Sequence, residues 1–110
     1  MRIVEKPWGF ELVWAETDAY VGKLLHINAK QRLSLQYHDI KEETVFVTEG
    51  TLLNYTDTES PPQRIPQGQS FHVKPNQVHR FGAGDTHVEL IEVSTPHLDD
   101  VVRLQDDYDR

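Results

Sequence analysis

Apolar residues along the chain fall in short runs of strand length, rich in Val, Ile, Leu, Phe and Tyr. Gly, Pro, Asn and Asp interrupt these runs about every ten residues, a rhythm typical of an all-β protein. No run is long enough for a convincing amphipathic helix. The pattern predicts strands over residues 10–15, 21–28, 33–38, 43–48, 51–55, 63–65, 70–73, 78–81 and 88–93.

The breaks between these runs carry recognisable turn chemistry. Glu49-Gly50 joins two apolar runs, and Ser60-Pro61-Pro62 cannot lie in a central strand because proline has no N–H to donate. The acidic segment 99–108 fits either a strand followed by a turn or one short helix. We therefore predict a single domain over residues 1–110, in which antiparallel strands close into a small barrel or pack as two sheets.

The charge balance narrows the choice of partners. Eleven Lys and Arg against eighteen Asp and Glu give a net charge of −7, which argues against nucleic acid or an anionic membrane surface as the main partner. A small anionic ligand stays possible, because one local basic pocket is sufficient to bind it. The absence of Cys excludes disulfides, thiolate catalysis and thiolate metal sites. The chain has no signal-peptide pattern and no apolar stretch of the ~18 residues that a membrane span needs, so we expect a cytoplasmic protein.

Four polar side chains are spaced so that they can meet inside such a barrel. Gln36 and His38 share one face of a predicted strand, because side chains alternate along a strand. A turn would bring Glu43 beside them, and His79 follows in a later loop. Two imidazoles, a carboxylate and an amide oxygen suit a divalent metal such as zinc, manganese, iron, cobalt or nickel, with positions left open for substrate. The alternative is four unrelated polar residues on a wet surface.

The same residues carry a family resemblance. The spacing of Gln36, His38 and Glu43 before a turn glycine resembles the first motif of the cupin superfamily. The stretch from Gly68 to His79 resembles the second motif. The resemblance implies an all-β cupin barrel, a double-stranded β-helix of the jelly-roll type, with these histidines, the glutamate and the glutamine as metal ligands.

A closer resemblance, to the cupin domain of type II mannose-6-phosphate isomerases, covers nearly the whole chain. The matching stretches are Lys6-Pro7-Trp8-Gly9, residues 31–38, and residues 90–93 leading into 99–108. In that family Gln occupies the first ligand place, as Gln36 does here. The resemblance implies aldose–ketose interconversion of mannose 6-phosphate and fructose 6-phosphate through an enediolate, a divalent metal (zinc, manganese, nickel or iron) and a homodimer. The chain departs from the family's histidines at Asp39-Ile40-Lys41 and at Thr44.

Two further residues are candidates for the chemistry. Glu92 is a charged residue amid an apolar strand, which makes it a candidate base, and the alternative is a Glu at a sheet edge or facing outward. Arg32 shares strand parity with Gln36 and His38, so it would point inward toward a substrate phosphate if the strand is regular from residue 32 to residue 38. A structural ion pair is the alternative for Arg32.

Two other functions stay open. His38, Glu43 and His79 alone form a two-histidine, one-carboxylate set, as in non-haem iron oxygenases. A cupin that binds metal or sugar without turnover is the third hypothesis, because the sequence contains no obvious proton shuttle. In the isomerase hypothesis the partner is a small sugar phosphate, with neither nucleic acid nor a membrane involved.

Overall fold

Eleven β-strands build the protein, and the computed structural model describes residues 1–109. These residues form no helix. They therefore contain no helix long and apolar enough to cross a membrane. The strands are β1 Arg2–Lys6, β2 Gly9–Glu16, β3 Val21–Ile27, β4 Leu35–Tyr37, β5 Glu43–Glu49, β6 Thr51–Tyr55, β7 Gln63–Pro66, β8 Ser70–Val73, β9 Arg80–Gly82, β10 Val88–Ser94 and β11 Val102–Gln105. The all-β prediction is confirmed.

The strands form two layers of antiparallel sheet. The first layer is six-stranded, in the order β1-β2-β3-β10-β5-β8. The second combines a three-stranded sheet, β7-β6-β9, with the pair β11-β4. Isolated bridges from Arg32 to Gly82 and from Gln36 to His79 join these two pieces, so that β4 lies alongside β9. Core residues from both layers pack together, which gives the two-sheet barrel expected from the sequence.

The interior changes from apolar to charged along the barrel. On β10, Val88 and Leu90 face inward and are apolar, whereas Glu92 on the same face is buried and charged. β5 shows the same change between Val45 and Glu43. Because β10 and β5 pair antiparallel in this register, their polar ends come together. The apolar end holds the core, which comprises Trp8, Leu25, Ile27, Val45, Val47, Leu52, Ile65, Val73, Phe81, Ala83, Val88 and Leu90.

Strand β1 is absent from the sequence prediction. It contains three charged residues, Arg2, Glu5 and Lys6, among five positions. It lies at the edge of the six-stranded sheet and pairs only with β2. An edge strand buries little of its surface, so its apolar pattern is too weak to read from the sequence.

Strand β4 is shorter than the prediction of a strand over residues 33–38. The N–H of Leu33 donates to the carbonyl of Phe81, but the ladder between these segments is broken into isolated bridges. Strand β4 begins only at Leu35, where β11 pairs with it through a register shift between Arg103 and Gln105. Side-chain parity therefore does not continue from Arg32 into the strand.

The β5–β6 turn and the C-terminal segment agree with the sequence pattern. Gly50 has a φ of 81°, and a Cβ at this position would lie 2.5 Å from the carbonyl oxygen of His87. The turn therefore requires glycine. The segment 99–108 contains strand β11 and then a turn, which is the first of its two predicted forms.

Candidate metal centre

Three segments at the charged end of the barrel bring His38, Glu43 and His79 together. His38 follows β4, Glu43 begins β5 and His79 precedes β9. Their exposed fractions are 3%, 4% and 1%, so all three side chains are buried. One possible ligand atom from each residue lies within 4.8 Å of those of the other two. Of the four residues that the sequence predicts to meet, His38, Glu43 and His79 thus form a cluster, which we call the metal cluster.

Main-chain hydrogen bonds hold the two histidine-bearing segments against each other. Gln36 and His79 exchange N–H···O bonds of 3.0 and 2.9 Å. The N–H of Asn76 donates to the carbonyl of His38 at 2.6 Å. Asn76 has a φ of 66°, in the left-handed region that Asn adopts more readily than most residues. The two imidazole ring centres consequently lie 5.1 Å apart.

Hydrogen bonds fix the tautomer of both imidazoles. His38 Nδ1 lies 2.5 Å from the carbonyl oxygen of Asp100, and His79 Nδ1 lies 3.0 Å from that of Gln77. A carbonyl can only accept, so Nδ1 carries the proton and Nε2 presents a lone pair in each ring. Both Nε2 atoms are buried without a hydrogen-bond partner in the described chain. They lie 3.8 and 3.6 Å from the carboxylate oxygens of Glu43.

This arrangement fits a divalent transition metal. Imidazole nitrogen and carboxylate oxygen are the donors that such ions accept, whereas calcium and magnesium prefer oxygen alone. A buried polar atom without a partner is costly, and a cation between the two Nε2 atoms and Glu43 would satisfy all three side chains. The donor set is compatible with zinc, manganese, nickel or iron and leaves coordination positions open for a substrate.

Gln36 lies beside this cluster, with its amide already in one hydrogen bond. Its Oε1 accepts from Ser34 Oγ at 2.7 Å. Gln36 and His38 both line the cavity at this end of the barrel. Since an amide oxygen has a second lone pair, ligation by Gln36 is compatible with this bond and stays a prediction.

A buried lysine that the sequence analysis does not select as a site residue adjoins the cluster. Lys41 Nζ lies 3.0 Å from Glu43 Oε2 and 3.4 Å from Glu92 Oε2. Burial alone would lower the pKa of Lys41, but the carboxylates of Glu92 and Glu43 outweigh burial and raise that pKa, so the side chain stays cationic. Lys41 lies in the turn before β5, where side-chain alternation does not apply, so the sequence contains no pattern that selects it.

Glu92 faces the interior, so the outward alternative for this residue is wrong. It is 4% exposed, and its pKa is raised by burial and by the charge of Glu43. Its Oε2 lies 3.4 Å from Lys41 Nζ, which makes an ion pair. This oxygen accepts no hydrogen bond from the described chain. Lys41 lines the cavity, whereas Glu92, like Glu43 and His79, does not.

Arg32 does not point into the barrel, which corrects the inward orientation expected from strand parity. Its Nε and Nη2 donate to the carboxylate of Asp107 at 2.7 and 3.1 Å. Its guanidinium carbon lies 5.3 Å from the ring centre of Tyr55. The irregular backbone before β4 breaks the parity on which the expectation depended. The alternative, a structural ion pair, is what Arg32 forms.

A cavity of about 240 Å³ adjoins the cluster through His38, which lines it together with Gln36, whereas Glu43 and His79 do not line it. Its wall is basic, although the whole chain has a net charge of −7. Its charged residues are the basic Arg2, Lys6, Lys23, Lys41 and Arg103 and the acidic Glu11 and Asp99. Lys23 is neutralised by Glu11 at 3.1 Å. Lys6 and Arg103, by contrast, form no ion pair within residues 1–109.

The sequence matches a known family over almost its whole length. The model of the mannose-6-phosphate isomerase C-terminal family matches residues 1–106. The chain belongs to this family. No curated protein matches it in sequence. The resemblance seen in the motifs is therefore confirmed, and the protein contains a cupin domain related to mannose-6-phosphate isomerase.

Solved cupin structures share the fold. A cupin-like protein from Thermotoga maritima is 21% identical, with a TM-score of 0.74 over 88% of this chain and 76% of that one. A sugar phosphate isomerase of the cupin superfamily from Silicibacter pomeroyi is 22% identical, with a TM-score of 0.67 over 78% and 58%. The polyketide cyclase RemF from Streptomyces resistomycificus is 13% identical, with a TM-score of 0.78 over 86% and 70%. At these identities the likeness establishes the cupin barrel and not the activity.

The pH dependence of stability provides a test of the buried imidazole. Burial, together with a smaller effect of the neighbouring His38, lowers the pKa of His79 from 6.5 to about 4. Between these values the unfolded cupin binds a proton that the folded one excludes, so stability is complete above about pH 6.5 and is lost as the pH falls toward 4. We expect the free energy of unfolding of metal-free protein to fall by up to ~1.4 kcal/mol per pH unit in this window.

Urea unfolding at several pH values measures this slope. The variant His79→Gln should lose the fall in unfolding free energy between pH 6.5 and 4. The variant His72→Gln should keep it, because His72 is exposed and pairs with Glu42. An identical slope in wild type and His79→Gln would contradict the assignment.

Metal binding can be tested directly by calorimetric titration of metal-free protein with zinc. We expect one ion per chain. Loss of a group that hydrogen-bonds to a metal ligand costs about 10–100-fold in metal affinity. We expect His38→Ala, Glu43→Ala or His79→Ala, which remove a ligand itself, to weaken binding by more than this. His87→Ala is the control, because His87 pairs with Glu49 away from the cluster. Wild-type affinity in the cluster variants would remove the site, while Gln36→Ala decides whether the amide is a fourth ligand.

Proposed function

We propose that this cupin is a metal-dependent isomerase that interconverts mannose 6-phosphate and fructose 6-phosphate. One observation carries the proposal: a two-histidine, one-carboxylate cluster lies at a cavity with a basic wall, in a chain of the mannose-6-phosphate isomerase C-terminal family. The Silicibacter relative of the same fold is itself described as a sugar phosphate isomerase, which agrees with the proposal.

The phosphate of the substrate would bind at the basic wall of the cavity. Lys6 and Arg103 are the two cations there without a carboxylate partner in residues 1–109. The guanidinium of Arg matches phosphate oxygens with paired hydrogen bonds, and Lys adds a point charge. Arg103 lies opposite Gln36 in the β11–β4 pair, and both line the same cavity as His38. A short sugar could therefore contact both places at once.

The reaction moves one proton between C1 and C2 of the sugar and a second between their oxygens. One carbon is reduced as the other is oxidised, so no external oxidant or reductant is needed. A divalent ion held by His38, Glu43 and His79 would polarise the carbonyl group and stabilise the negative charge that develops. The chain prepares this site in two ways. Carbonyl acceptors keep each Nδ1 protonated, so both Nε2 lone pairs face the cluster, and burial keeps water away from the three donors.

Glu92 is the candidate for proton transfer. Burial and the charge of Glu43 raise its pKa, which brings the carboxyl group closer to the neutral pH at which a general acid–base group works best. Lys41, which lines the cavity, contacts Oε2 of Glu92 at 3.4 Å, and Glu92 itself does not line the cavity. Direct contact between Glu92 and the sugar therefore requires movement of the Lys41 side chain.

An iron-dependent oxygenase is the second candidate. The observation that favours it is the cluster itself, which contains two histidines and one carboxylate whether or not Gln36 is a ligand. A third candidate, a cupin that binds metal or sugar without turnover, is favoured by the ion pair of the candidate base Glu92 with Lys41. All three candidates use the same metal ligands, so turnover assays must separate them.

The phosphate-binding role of Arg103 leads to a specific prediction. We expect Arg103→Ala to raise the KM for the sugar phosphate roughly tenfold or more with little change in kcat, since a charge-assisted hydrogen bond contributes about 1.5–3 kcal/mol. Steady-state kinetics measure this split. Arg64→Ala is the matched control, because Arg64 is exposed on β7 and does not line this cavity. Equal effects of the two variants would contradict a specific anion site.

Isomerase activity itself is tested by incubating the metal-loaded protein with mannose 6-phosphate and measuring fructose 6-phosphate. We expect turnover in the wild type and a loss of about 10²–10⁴-fold in kcat for Glu92→Gln, as for removal of a general acid–base group. Glu89→Gln is the control, since Glu89 lies on the same strand but on its opposite face, bound to His26.

The possible outcomes separate the three candidate functions. Absence of product with zinc, manganese, nickel and iron alike would rule out the isomerase. Oxygen consumption that requires iron would favour the oxygenase. A rise in melting temperature with metal or sugar, without any product, would favour the binding cupin.

A further inference from the structure

Asp100 lies between β10 and β11 and contacts the turn that follows His38. Its carboxylate accepts hydrogen bonds from the N–H groups of Asp39, Ile40 and Lys41 at 3.1, 2.7 and 2.9 Å. Its main-chain carbonyl accepts the bond from His38 Nδ1 at 2.5 Å. One residue thus contacts four consecutive positions of the turn, including a member of the metal cluster.

The turn depends on these external contacts for its shape. No main-chain hydrogen bond joins two residues within 38–43 in the described chain. The N–H of Glu42 donates to Thr95 Oγ1 at 3.1 Å. All four N–H groups of residues 39–42 are therefore satisfied by side chains of the segment 95–100. The segment is a template for the path of the chain between two of the metal-cluster residues.

We propose that Asp100 is a positioning residue for the metal centre. Its carbonyl keeps the proton of His38 on Nδ1, which leaves Nε2 free to bind a metal. Its carboxylate sets the path from His38 to Glu43 and places Lys41 against Glu43. The proposal rests on the metal site of the proposed function and is independent of the isomerase chemistry.

Asp57 offers a matched control within the same chain. Its carboxylate also accepts hydrogen bonds from main-chain N–H groups, those of Glu59 and Ser60, at 2.8 and 2.6 Å. It lies in the exposed connection between β6 and β7 and does not line the cavity. Loss of Asp57 removes a similar turn network while leaving the metal cluster untouched.

The experiment titrates metal-free wild type, Asp100→Ala and Asp57→Ala with Co²⁺ and follows the visible absorption of the bound ion. We expect Asp100→Ala to lower Co²⁺ affinity about 10–100-fold and to change the absorption spectrum. The variant keeps the main-chain carbonyl that His38 contacts, but it loses the carboxylate that holds the turn between His38 and Glu43 in place. Asp57→Ala should keep the wild-type affinity and spectrum even where it loses stability. Circular dichroism of the metal-free proteins checks that each variant is folded. Wild-type affinity and spectrum in Asp100→Ala would overturn the proposal.

A second variant, Asp100→Asn, decides the matter where the alanine variant does not fold. It keeps the size of the side chain and one oxygen acceptor but loses the charge, so we expect a smaller loss of Co²⁺ affinity in the same direction. Wild-type affinity and spectrum in a folded Asp100→Asn, with Asp100→Ala unfolded, would also overturn the proposal. Wild-type protein that binds Co²⁺ but does not isomerise the sugar removes only the proposed function, whereas wild type that binds no Co²⁺ removes the metal centre and the role of Asp100 with it.

Discussion

The burial of charge inside an apolar barrel constrains the whole site. Glu43, Glu92 and Lys41 are each less than one-tenth exposed, and an uncompensated buried charge costs several kcal/mol. Lys41 balances one of the two carboxylates, since it contacts both. The remaining negative charge is balanced either by a proton on Glu92, whose pKa is raised, or by a bound cation. Binding of a cation by His38, Glu43 and His79 would therefore be coupled to the protonation of this interior.

Local patterns in the sequence account for most of the fold and for three members of the cluster. Short apolar runs identify the interior strands, and the motif spacing selects His38, Glu43 and His79. Expectations fail where the backbone departs from a regular ladder, as before β4 at Arg32, or where a contact joins distant parts of the chain. Asp100 contacts His38, which lies 62 positions earlier in the chain, and a pattern of neighbouring residues cannot predict such a contact.

The net charge of the chain determines only how strongly it attracts or repels charged partners at long range. An excess of seven negative charges repels extended polyanions, yet the cavity wall collects basic residues from β1, β3 and β11. These strands are far apart in sequence, so composition cannot reveal their convergence. A small anion at the cavity responds mainly to the nearby cations, because solvent ions screen distant surface charges within about 10 Å at ordinary salt concentrations.

The template formed by residues 95–100 also sets an order of assembly during synthesis. The core strands β2 to β10 are complete before Asp100 leaves the ribosome, so hydrophobic collapse can precede the shaping of the His38 turn. The nascent chain then holds its imidazole and carboxylate donors without the geometry that selects an ion. Binding of a metal at these donors would therefore have to wait until the segment 95–100 has docked against the His38 turn.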